Sequence, residues 1–280
     1  MKHTESPLVM CYGAGVDSTA ILIEFVRQGI RPDLILFADT GDEKPETYAY
    51  LDVMDAHLEA NGFPLVTRVR RSDLVNQRVP DQSLGDELRR LGTLPSMAFG
   101  QHTCSHKWKV VPQEKFLAQW GPAQAAWAAG VPVTRVIGFD CSPADSKRVS
   151  RTMAYDSDKY QSWFPLQDWE WDRDRCLAEI EREGIEVPVK SACYFCPASK
   201  PWEIRKLAQD HPDLLKQALE IEDAVQIGGS SKHTLDPDSS VKGLWRKQTW
   251  RSFVEDEGLL QIEEPGRLPR AWANAPTYYV

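Results

Sequence analysis

The stretch that most constrains this chain is Cys11-Tyr12-Gly13-Ala14-Gly15-Val16-Asp17-Ser18-Thr19. An apolar run, Leu8-Val9-Met10-Cys11, leads into it, and a helix-patterned run over 20–28 leads out. Strand, small-residue turn and helix together aim free backbone N–H groups and the positive end of a helix dipole at an anion. Gly13 and Gly15 are free to take positive φ and put no side chain between backbone and ligand. Ser18 stands where an N-cap hydroxyl belongs, and Asp17 is placed to hold a metal ion or orient the loop. The loop is neither a Walker A, since no Gly-Lys-Ser/Thr follows, nor a dinucleotide fingerprint, since the third Gly is missing.

The chain around the loop reads as β-α repeats. Ile21 with Phe25 and Leu22 with Val26 are i,i+4 apolar pairs, and Gly29 is a natural helix stop. The continuous apolar run Leu34-Ile35-Leu36-Phe37-Ala38 suits a parallel strand buried on both faces. A helix over 46–61 and a strand over 65–69 follow. Such alternation predicts an α/β fold with a doubly wound, mostly parallel sheet. Binding then falls at the carboxyl ends of the strands, where Asp17 and Asp39 lie.

The loop resembles the PP-loop of the adenine nucleotide alpha hydrolase-like ATP pyrophosphatases at Gly13, Gly15, Asp17 and Ser18. It departs at Tyr12, where that family has Ser, and at Ala14 within the Gly pair. A second block, Phe37-Ala38-Asp39-Thr40-Gly41 with Lys44-Pro45-Glu46-Thr47, is similar to the phosphoadenosine phosphosulfate reductase branch of that superfamily. The resemblance implies ATP bound by Tyr12, Gly13, Ala14, Gly15, Val16, Ser18, Thr19, Thr40 and Gly138, with Asp17 and Asp39 holding Mg²⁺. It also implies a phosphate- or substrate-contacting Arg after a Gly-containing strand end. That role is carried onto Arg148, with Lys147 and Arg151 as alternatives.

Residues 72–100 show no clear period and are interrupted by Pro80, Gly85, Gly92 and Pro95, as a functional or disordered loop would be. Arg68, Arg70, Arg71, Arg89 and Arg90 leave two readings open, a solvated basic face or a phosphate-contacting flap. A helix over 113–120 and a strand over 134–140 come next, and Asp145 and Arg148 open a segment running to Arg151. The acidic helix over 172–183 is expected as a solvated face, and neither Asp168 nor Asp172 claims a catalytic role.

Cys193-Tyr194-Phe195-Cys196-Pro197 is the second strong feature, because two thiolates at this spacing grip one metal centre from a single turn. Cluster-bearing relatives place one Cys upstream, which implies Cys104 as the third ligand. Cys176, Cys141, His102 and His106 are candidates for a fourth. A [4Fe-4S] cluster is favoured over Zn²⁺, with a redox-active dithiol and inert thiols as alternatives; Cys11 reads as a buried small hydrophobe. No Cys follows Cys196, so the nucleophile of the sulfonucleotide reductases is missing and their activity is not inherited.

Helices over 202–209 and 213–225 are expected after Cys196, then a flexible break at 228–231 and a terminal tail packing through Trp272, Tyr278 and Tyr279. Residues 242–251 hold four cations, two Trp and no acid, which fits either a nucleic-acid contact or an Arg/Trp-rich helix packed on the core. The expected division is a nucleotide-binding domain over 1–200, including the Cys-x-x-Cys pair, and a mainly helical extension over 201–280. The net charge of −8 argues against a surface that coats nucleic acid in general. No apolar run approaches the ~20 residues of a membrane span, and the first residues carry no apolar signal segment, so a cytoplasmic protein is expected.

Together these imply an ATP-dependent adenylating enzyme that activates a substrate oxygen for sulfur or amine transfer, with a nucleic acid or a sulfur-donor protein among its partners. The alternatives are a non-catalytic adenine-nucleotide-binding module and a sulfonucleotide-utilising enzyme.

Overall fold

The computed structural model describes residues 6–74, 81–225 and 240–261. The break at 228–231 and the tail carrying Trp272, Tyr278 and Tyr279 lie outside them. The chain opens with β1 (Leu8–Cys11), α1 (Val16–Gln28), β2 (Leu34–Asp39), α2 (Pro45–Ala60), β3 (Val66–Arg70) and α3 (Arg71–Leu74). It continues through α4 (Leu84–Leu91), α5 (Thr103–Ser105), α6 (Val111–Leu117), α7 (Gly121–Ala128), β4 (Val133–Val136) and α8 (Pro143–Met153). Then come β5 (Tyr160–Trp163), α9 (Pro165–Asp168), α10 (Arg173–Arg182), α11 (Pro201–Asp210), α12 (Pro212–Asp223) and α13 (Trp250–Asp256).

Two compact units share these elements. The first takes residues 1–39, 43–75 and 109–191; the second takes 40–42, 76–108 and 192–280.

The first unit is a five-stranded, all-parallel sheet in the order β3-β2-β1-β4-β5. Successive residues of the buried strands feed two different cores. Met10, Ile35, Phe37 and Val136 pack with α1, α2 and α10, while Val9, Leu34, Leu36 and Val133 pack with Leu117 and Ala123 on the other face. Each such side chain withdrawn from water contributes about 1.5–3 kcal/mol, which is why β2 is apolar from Leu34 to Ala38. The doubly wound α/β architecture expected from the repeats is present.

Helix α1 ends where Gly29 turns left-handed at φ 68° and the Ile30 amide reaches back to the Phe25 carbonyl. At the start of α2, Pro45 occupies the first turn, where its missing N–H costs nothing.

Two expectations need correction, and one element was not anticipated. Within 72–100, the described residues 81–100 are more regular than their pattern suggests. Ser83 caps α4 by accepting from the Asp86 amide, Gly92 closes it in a left-handed conformation, and Leu84 and Leu88 bury one face. Helix α10 is not simply a solvated face, since Cys176, Glu179 and Ile180 are buried, two of them in the core beside α1. The polar segment over 160–163 adds an edge strand, β5, that no periodicity announced.

The second unit is mainly helical, built on Trp108, Trp250 and apolar residues of α4, α11, α12 and α13. Buried Glu222 accepts backbone N–H groups of Leu244, Trp250 and Arg251 and so anchors the 240–251 segment. In that segment Trp250 is fully buried, Thr249 caps α13, and Arg251 pairs with Asp223. The helix starts only at Trp250, because Thr249 offers the cap and residues before it are held by Glu222.

Candidate functional site

In the first unit the chain passes from β1 to β2 and β3 on one side, then returns to place β4 on the other side of β1. The carboxyl ends of β1 and β4 therefore diverge at the topological switch point, where open α/β sheets bind ligands. The glycine loop leaves β1 there, and the β4–α8 loop leaves β4 beside it.

The loop's conformation differs from the simplest expectation. Neither Gly13 nor Gly15 takes positive φ; the left-handed residue is Ala14, at φ 54°. Gly15 is the N-cap of α1, with extended backbone. Ser18 is thus not the N-cap but lies one turn in, because the helix begins at Val16. Its hydroxyl donates to the Gly15 carbonyl at 3.1 Å and accepts from the Gly13 amide at 3.3 Å, closing the loop on itself.

Of the other loop residues, Tyr12, Ala14, Val16 and Thr19 are buried, and the Tyr12 hydroxyl meets that of Thr19 at 3.1 Å. Their side chains pack inward and build the loop. Gly138 lies against the first turn of α1: a Cβ there would stand 3.0 Å from the Ser18 amide nitrogen and 3.3 Å from Asp17. The glycine is the condition for that approach.

Asp17 receives Nη1 of Arg173 at 2.9 Å. Burial pushes its carboxyl above the usual range, Arg173 opposes that shift, and Asp140 and Asp145 add to it. Among the described residues, Asp17, Asp140 and Asp145 form a carboxylate group whose ligand oxygens lie within 4.8 Å of one another. Asp145 is also paired with Arg148 at 2.8 Å, and the Arg148 guanidinium sits 4.0 Å from the Phe139 ring centre. Phe139 in turn stacks on Phe164.

Asp39 ends β2 as expected and is buried. Its carboxylate accepts from the Tyr48 hydroxyl and from Nε of Arg70, both at 2.7 Å. Arg68 likewise bonds Asp52, and Arg90 bonds Asp81 through two nitrogens. Arg89 bonds Asp86, the Tyr194 hydroxyl and Gln217.

Asp140 and Arg173 were not singled out from the sequence. Asp140 had a signal, as an acid after the strand-end Gly138; Arg173 had none, because it acts from a helix whose start is 156 residues from Asp17.

In the second unit, Cys193 and Cys196 bracket a tight turn in which the Cys196 amide donates to the Cys193 carbonyl at 3.0 Å. Tyr194 and Phe195 between them are buried, and Cys104 and Cys193 border the same apolar cluster. The Cys193 sulfur lies 3.3 Å from the Thr40 hydroxyl, and the Tyr194 amide donates to the Asp42 carbonyl at 3.0 Å. Thr40, expected at the nucleotide, belongs to this unit. Cys11 is half-buried, and desolvation pushes its thiol up to about 11.

A parallel doubly wound sheet with a glycine loop, a helix N-terminus and a close-packed glycine at the switch point defines an adenine nucleotide alpha hydrolase-like domain. The family model for the phosphoadenosine phosphosulfate reductase domain matches residues 7–174, and the chain belongs to that family. No curated protein matches the chain. Among the described residues, no helix is long and apolar enough to cross a membrane.

Proposed function

We propose that this chain is an ATP-dependent adenylating enzyme that uses a PP-loop-type site to activate a substrate oxygen for sulfur or amine transfer. The observation that carries the reading is the meeting of the 13–18 loop, the α1 N-terminus and Gly138 at the switch point, beside three carboxylates. The family is one of adenine-nucleotide-binding domains, which favours a nucleotide over another anion.

The donor set of Asp17, Asp140 and Asp145 is all oxygen, as Mg²⁺ prefers, so these residues fit the metal that such a reaction uses. Asp39 has Tyr48 and Arg70 on its oxygens and serves in this reading to orient the end of β2. Bound Mg²⁺ supplies charge neutralisation on the phosphates.

In the reaction, loop amides and the α1 dipole hold the phosphate tail while Arg148, braced by Asp145 and Phe139, faces the charge that develops at the α-phosphate. The substrate oxygen bonds to the α-phosphorus, the bond to the bridging oxygen breaks, and pyrophosphate leaves with that electron pair. A sulfur or nitrogen nucleophile then displaces AMP. A nucleic acid or nucleotide as acceptor, and a sulfur-donor protein as co-substrate, are part of the proposal.

For Cys104, Cys193 and Cys196 we propose a [4Fe-4S] site, with Zn²⁺ as the alternative. Thiolate donors bordering an apolar cluster suit either. Iron and labile sulfide in anaerobically purified protein support the cluster; stoichiometric zinc supports the alternative.

The decisive experiment supplies Mg²⁺ and candidate acceptors and follows ATP to AMP and pyrophosphate. Turnover that disappears in Asp17→Ala supports the proposal. Retention of ATP with no product favours a binding module, and a calorimetric preference for a sulfonucleotide over ATP favours a sulfonucleotide-utilising enzyme.

A further inference from the structure

Arg173 occupies the first position of α10, after the N-cap Asp172. A cation there opposes the helix dipole. What offsets it is Asp17, whose Oδ1 is 2.9 Å from Nη1.

The placement is built by helix packing. Arg27, ten residues beyond Asp17 on α1, bonds Glu183, ten residues beyond Arg173, and also pairs with buried Glu179. Helices α1 and α10 thus run side by side in the same direction, pinned at both ends, with Phe25, Cys176 and Ile180 in the core beside them. The guanidinium is thereby delivered to the N-terminus of α1, where its side chain is 37% exposed. The same N-terminus is where the loop amides converge.

We infer that Arg173 is a phosphate-positioning residue held in reserve by Asp17, an inference that rests on the adenine-nucleotide reading above. In the nucleotide-free protein Arg173 neutralises Asp17. When a nucleotide triphosphate binds, the guanidinium transfers to the phosphate tail, and Asp17 is released to the divalent cation. Arg173 and the cation then compete for Asp17, whereas Arg173 and the phosphates attract. Removing the guanidinium therefore moves the two affinities in opposite directions, which loss of a merely structural ion pair does not do.

The test is calorimetric, on the full chain, with ATP in excess EDTA and separately with Mn²⁺ alone. Arg173→Gln is expected to bind ATP at least about tenfold more weakly and Mn²⁺ several-fold more tightly than wild type, with Arg173→Lys recovering much of the ATP affinity. Melting of Arg173→Gln is expected below wild type at neutral pH, because Asp17 loses its counter-charge, and Arg173→Lys carries the test if that variant does not hold its fold. Affinities that fall together, or that both stay unchanged while wild type binds both probes, overturn the assignment. A wild-type protein that binds Mn²⁺ but no ATP overturns the nucleotide reading, and this inference with it.

Discussion

Gly138 and Ser18 are 120 residues apart in sequence, yet a Cβ on the glycine would meet the Ser18 amide nitrogen at 3.0 Å. The amide belongs to a helix turn and the glycine follows a core strand by two residues, so neither side yields cheaply.

Gly138→Ala is therefore expected to push the β4–α8 loop off the first turn of α1. Overpacking of this kind costs roughly 1–3 kcal/mol. With the loop displaced, ATP affinity should fall about tenfold or more, while the sheet survives. Calorimetry with ATP, alongside a thermal melt, checks both halves. Unchanged affinity at a normal melting temperature would mean that the close approach does not matter to the nucleotide.

Ala14 supplies the second expectation. It is buried and sits at φ 54°, a conformation that costs an L-residue about 1–2 kcal/mol. Glycine there relieves that strain but gives up a buried methyl, worth about 0.8 kcal/mol, and gains chain entropy in the unfolded state. Ala14→Gly should change stability by less than about 1 kcal/mol. Ala14→Val adds β-branching to a left-handed buried site and should cost about 2 kcal/mol or more. Urea unfolding of the pair measures the contrast.

These positions also show where the sequence was readable. The uninterrupted apolar run from Leu34 to Ala38 of β2 and the small-residue turn after β1 have one good physical solution, a doubly covered parallel strand and a strand-to-helix turn. The conformation inside the loop was not readable, because Ala14 carries the left-handed turn while the glycines on either side do not. Asp140 and Arg173 reach the site only through the return of β4 to the other side of β1 and through the pairing of α1 with α10. Both are consequences of topology, which local pattern does not encode. In residues 72–100 the signals were present but short: Ser83 before Leu84 and Leu88, then Gly92, mark a helix of only 8 residues.

Asp17 predicts a pH signature. Its folded-state pKa is raised above the ordinary 3.8, mainly by burial, so the folded protein holds the proton more readily than the unfolded chain. The stability this contributes is fully present below 3.8 and is lost as pH rises through the folded value. Asp17→Asn is uncharged throughout and escapes that loss. Its melting temperature relative to wild type should therefore rise from acid to neutral pH, even as binding of a divalent cation is lost. A difference that is flat with pH would show that Arg173 fully offsets the burial of the charge, and one that runs the other way that it more than offsets it.

In the second unit the expectation turns on Glu222. One carboxylate oxygen accepts from the amides of Leu244 and Trp250, at 2.7 and 2.9 Å, and the other accepts from Arg251 at 2.9 Å. A Cβ on Gly243 would also stand 2.6 Å from the Thr249 Cα, so the segment is folded tightly around this one side chain. Glu222→Gln keeps the volume but replaces one acceptor with an NH₂ that faces an amide donor, which should cost roughly 1–3 kcal/mol. Because Trp250 is fully buried beside the anchor, its share of the emission of the ten tryptophans, taken as the difference from a Trp250→Phe background, reports whether the segment stays packed. The expected result is a lower urea midpoint with a red shift of Trp emission at denaturant concentrations where wild type is still folded. The first unit's core contains neither residue, so far-UV circular dichroism should retain most of its signal over that range.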